Sequence, residues 1–123
     1  MEHWYEYVRA AYDLILESEG QTAVYLDADV EQYVVHVFAK NFTRIDIGNE
    51  PIAIKMMSST NYQHIGDECL LINSMGARRR RWPSETYYIE MGQTAYGLAN
   101  IEIMEQHFED ASRVLHTIFK KIG

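Results

Sequence analysis

The chain has 123 residues, 47% of them hydrophobic, a net charge of −7 and one cysteine. This excludes a disordered chain and a fold that depends on disulfide staples. No run approaches the roughly 20 apolar residues of a membrane span. The acidic, aromatic start (residues 1–6) lacks the basic-then-apolar pattern of a secretory leader, and a lone Cys69 fits a reducing compartment, so the expectation is one cytoplasmic domain over residues 1–123 with no membrane contact.

Residues 2–19 read as a helix, because Trp4, Val8, Ala11, Tyr12 and Ile15 recur at intervals of three and four. Gly20 is its expected stop. From residue 22 the pattern turns to strand. Residues 22–26 are β-branched and aromatic, Asp27-Ala28-Asp29 is a turn signal, and residues 30–39 are apolar on both alternation faces, as in a strand covered on both sides. Residues 42–47 and 52–57 alternate. Residues 68–72 and 85–91 are further strand-like runs, the last ended by Gly92. Gly97 argues against a long helix through residues 93–99. The last segment is the plainest: Ile101, Met104, Phe108, Ala111, Leu115, Ile118 and Ile122 form one apolar stripe of an amphipathic helix, with Asn100 as its expected N-cap.

Helix, about six strands, helix is the order that results. Strands without intervening helices predict an α+β fold: an antiparallel meander with the two terminal helices packed on one face of the sheet.

The most unusual local feature is Arg78, Arg79, Arg80 and Arg81 followed by Trp82. Guanidinium groups bind phosphates bidentately and an indole stacks on bases. Without that block the chain has seven basic against eighteen acidic residues, a field that repels nucleic acid and attracts basic partners. His64, Asp67, Glu68 and Cys69 stand close together, but their spacing matches no metal-ligand pattern, so no metal and no cofactor is expected. No phosphate loop, dinucleotide fingerprint or nucleophile turn is present. Some of the nine tyrosines are expected to be exposed: Tyr7 lies off the first helix's stripe, and Tyr88 cannot face inward together with Tyr87.

These features favour a small acidic protein-interaction domain, of inhibitor, immunity or adapter type, that binds a basic protein. Its candidate contact residues are Tyr7, Asp67, Glu68, Tyr88, Trp82 and the four arginines. The alternative is phosphate or nucleic-acid binding through Arg78–Arg81. A third reading is a small-molecule enzyme in which His36, His64, Asp67 and Cys69 converge. A homo-oligomer is compatible with all three.

Overall fold

The uninterrupted apolar run at residues 30–39 winds as a helix. Its buried members, Val30, Val34, Val35, Val37, Phe38 and Ala39, fall on one helical face, and Asp29, Gln32, His36 and Lys40 lie outside it. A run with both alternation faces apolar suits a buried strand and a buried helix equally, and ten residues is long for a strand. Here the acids Asp29 and Glu31 in the first turn and Lys40 in the last complement a helix dipole.

The computed structural model describes residues 2–41, 61–76 and 85–122. Among these it has five helices: α1 (Glu2–Thr22), α2 (Ala28–Lys40), α3 (Tyr62–Ser74), α4 (Glu85–Leu98) and α5 (Glu102–Ile122). Helices hold 87% of the described residues, and none forms a strand. Over the described residues, the expected α+β fold with an antiparallel meander is therefore corrected to an all-helical one. Residues 68–72 and 85–91, read as strands, lie inside α3 and α4; the readings at 42–47 and 52–57 fall outside the described residues.

Helix α5 packs against all four others. Its stripe is buried as expected, with Met104, Phe108, Ala111, Leu115 and Ile118 in the core beside Ala11 and Ile15 of α1. The terminal helices do pack together, with no sheet among the described residues beneath them: the Ser18 hydroxyl donates to the Val114 carbonyl at 2.6 Å.

The expected helix stops moved, for local reasons. Gly20 stays helical, and Ala23 takes the left-handed conformation instead (φ 58°). The Thr22 hydroxyl accepts from the Val24 amide at 3.2 Å, and the Glu19 carboxylate accepts from the Leu26 amide at 2.8 Å, which holds the turn into α2. Asn100 is not the N-cap of α5 but the left-handed residue that ends α4 (φ 60°). The Ile101 amide donates to the Tyr96 carbonyl at 2.9 Å and the Asn100 amide to that of Gly97 at 3.1 Å, the two bonds of a Schellman ending.

Glu19 is buried, and burial together with a hydrogen bond to Glu31 raises its carboxyl above the ordinary range. Its contribution to stability is full below the ordinary glutamate value, about 4.3, and is lost as pH rises through the folded value. Glu19→Gln keeps an acceptor for Leu26 and offers Glu31 a donor. The expected result is a melting temperature several degrees higher at neutral pH, with the gain vanishing in acid. A thermal melt series across pH measures it, and an equal shift at every pH would contradict it.

Candidate functional site

Two places on the described surface gather chemistry. The first is the outer side of α1. Tyr5, Tyr12 and Leu16 are 72%, 39% and 44% exposed. Their spacing of seven and four puts them on one stripe, beside the core stripe of Ala11 and Ile15. Glu6, Asp13 and Glu17, all exposed, run along the far edge of that stripe. Across the turn, Tyr25 is also exposed. Tyr12 reaches α2, where a hydrogen bond to Glu31 raises its phenol.

The second is a groove between α2, α3 and the first turn of α5. Asp29, Gln32, Tyr33, His36, Val37, Lys40, Gln63, Asp67 and Ile103 line about 400 Å³ of open space. At its wall, the Tyr33 and Tyr96 hydroxyls donate to the same oxygen of Asp67, Oδ1, at 2.6 and 2.7 Å. The two rings meet edge to face, 5.8 Å apart. Burial raises the Asp67 carboxyl, against the two tyrosine bonds and the charges of Lys40 and His64, which lower it. Burial and the Asp67 charge raise both phenols in turn. Gly66 makes the arrangement possible, because a Cβ there would lie 2.8 Å from the Tyr96 ring.

A third polar cluster is internal. The Asn73 amide donates to the Ser112 hydroxyl at 2.7 Å, and His116 Nδ1 lies 2.9 Å from the Ser74 carbonyl. Because a carbonyl only accepts, Nδ1 carries the proton. It ties α3 to α5.

Of the residues singled out from the sequence, Asp67 lines the groove. Glu68, next along α3, is buried. Tyr88 is 5% exposed and belongs to the core, with Tyr87 partly buried beside it. Tyr7 is exposed but falls on the opposite flank of α1 from Tyr5 and Tyr12. His36 and Asp67 share the groove and His64 is exposed, while Cys69 is fully buried, so the four do not converge on one site. Arg78, Arg79, Arg80, Arg81 and Trp82, and with them the phosphate-binding alternative, lie outside the described residues.

Sequence reasoning missed Tyr5, Tyr12 and Leu16 as a surface, and Tyr33 and Tyr96 as partners of Asp67. The first was legible as a second stripe beside the core one. The second links residues 29 and 34 positions away from Asp67, and no spacing rule points to it.

Among the described residues no helix is long and apolar enough to cross a membrane, and no three His, Cys, Asp or Glu side chains are placed to hold a metal ion. Comparison with protein-family models, with curated proteins and with solved structures gave no match. The inhibitor and immunity-type expectation finds no support there, and the antiparallel sheet that accompanied it is replaced by helices.

Proposed function

We propose that this chain is a protein-interaction domain that docks a basic partner on the outer side of α1. One observation carries the reading: the exposed stripe of Tyr5, Tyr12 and Leu16 with carboxylates along its edge. Tyrosine buries a large area and keeps a hydroxyl for a hydrogen bond, so it serves as an anchor in interfaces. Helix α1 has five acidic residues against Arg9 alone, in a chain of net charge −7. Such a field speeds the encounter with a cationic surface and weakens with salt.

The test compares the domain with its Tyr5→Ala/Tyr12→Ala double variant as bait for proteins of the native lysate, at low and high salt. Both replaced side chains are exposed, so the variant keeps its core. The expected result is one basic protein held stoichiometrically by the unaltered chain, released by salt, and held at least about tenfold more weakly by the variant, equivalent to about 1.4 kcal/mol. Equal retention of that protein by the double variant would sink the proposal.

A further inference from the structure

The groove beside α2 combines opposite charges that leave one another unpaired. Asp67 accepts both tyrosine hydroxyls on Oδ1, and its other oxygen, Oδ2, takes no hydrogen bond from the described residues. Lys40 lines the same groove and forms no ion pair among the described residues. Its charge reaches Asp67 all the same, since it lowers that carboxyl. Asp29, at the other end of α2, is exposed and also lines the groove. Asp29 and Lys40 are eleven positions apart, about 16 Å along a helix at 1.5 Å per residue. The space is therefore an elongated trough with Asp67 on its wall and a cation at one end. Val37, Ile103 and Tyr33 contribute apolar and aromatic lining. At about 400 Å³ it falls within the range of small-molecule sites.

The geometry points to a binding site for a small linear zwitterion, of amino-acid to dipeptide size, whose ammonium sits on Asp67 Oδ2 and whose carboxylate sits on Lys40. A plain amine would leave Lys40 unpaired beside it, and a plain carboxylate would meet Asp67 and Asp29. A ligand with both charges satisfies each end, and its methylene stem covers Val37 and Ile103. The tyrosine pair fixes the carboxylate in advance, so little ordering is needed when the ligand arrives.

The site is separate from the α1 stripe, and so is its test. Glycine, γ-aminobutyrate and ε-aminocaproate are titrated into the isotopically labelled chain and followed by amide chemical shifts, with hexylamine and hexanoate as singly charged controls. At least one zwitterion should saturate with shifts confined to residues 29–40, 63–67 and 103, and should bind at least about tenfold more tightly than either control. Lys40→Met, at an exposed position, should reduce its affinity to that of hexylamine. Asp67→Asn should reduce it to that of hexanoate. Absence of saturable binding by all three zwitterions, equal binding of the controls, or unchanged affinity in Lys40→Met would each overturn the assignment. Because Lys40→Met leaves the core untouched, misfolding of Asp67→Asn would not shelter it.

Discussion

Replacing Gly92 with alanine is expected to destabilise the fold by about 3 kcal/mol, at the upper end of overpacking costs. The usual effect of that substitution inside a helix is a gain of up to about 1 kcal/mol, because glycine is the poorest helix former after proline. At Gly92 a Cβ would run into the Phe108 ring and lie 3.0 Å from the Cβ of Cys69. Phe108 and Cys69 are fully buried, so neither can swing into solvent. The position is where α4 crosses both α3 and α5, and the added methyl must push at least one of them away. Gly20 gives the internal control: it lies in α1 with nothing within 4 Å of a Cβ. Gly20→Ala should therefore raise stability by about 0.5–1 kcal/mol. Denaturant unfolding of the two variants reads both. The same sign for both would show that close packing does not set the role of Gly92.

These glycines also explain why the fold was only partly legible in the sequence. The terminal helices were read correctly because each has a polar side facing solvent, which gives a 3.6-residue period. The central helices α2 and α3 are buried too widely for that: their apolar positions fill both alternation faces, and the period that separates helix from strand is lost. In α4 burial is periodic, with Tyr88, Gly92, Ala95 and Tyr96 inside and Thr86, Glu90, Thr94 and Leu98 exposed, but glycine and alanine at two of the four inner positions mark that period too weakly in the sequence. Tyrosine and valine then add strand-like composition, which tertiary packing overrides. Glycine reads as a breaker when only the chain is seen. At Gly66 and Gly92 it is a contact point between helices, visible only once the neighbouring helix is known. The same holds for Asn100, whose polar side chain suggests the start of α5, whereas its backbone ends α4.

The candidate groove shows a similar division. Asp67 could be singled out as a carboxylate in an apolar segment, but its partners come from α2 and α4. Only a helical α3 turns Asp67 toward Tyr33 and Tyr96 while Cys69 faces the core. With strand geometry, Asp67 and Cys69 would share a face. The α1 stripe was hidden for another reason: Tyr12 matches the core period closely enough to be counted with Val8 and Ile15, and only its exposure separates it from them.

Tyr96→Phe should cost about 1.5–3 kcal/mol at neutral pH, the range for a buried hydrogen bond to a charged group. Phenylalanine fills the same space against Phe108 and Tyr33, so no cavity opens and the loss is that of the hydroxyl alone. Asp67 would keep only the Tyr33 donor at 2.6 Å. Its carboxyl, already raised by burial, should rise further, because one of the two bonds that oppose burial is gone. The sign of the pH dependence follows. A carboxyl raised in the folded state contributes stability in full below its unfolded value, about 3.9, and loses it as pH rises through the folded value. The variant's folded value is the higher of the two, so the gap between wild type and Tyr96→Phe should be small in acid and widen toward neutrality. Gly66→Ala, which presses on the Tyr96 ring at 2.8 Å, should reproduce that widening on top of a loss that is the same at every pH. In an Asp67→Asn background there is no charge to lose, and the Tyr96→Phe cost should be smaller and flat with pH. A cost that is independent of pH in the presence of Asp67 would mean that the Tyr96 hydroxyl does not stabilise the carboxylate, and that the wall of the groove is not preorganised for a cation.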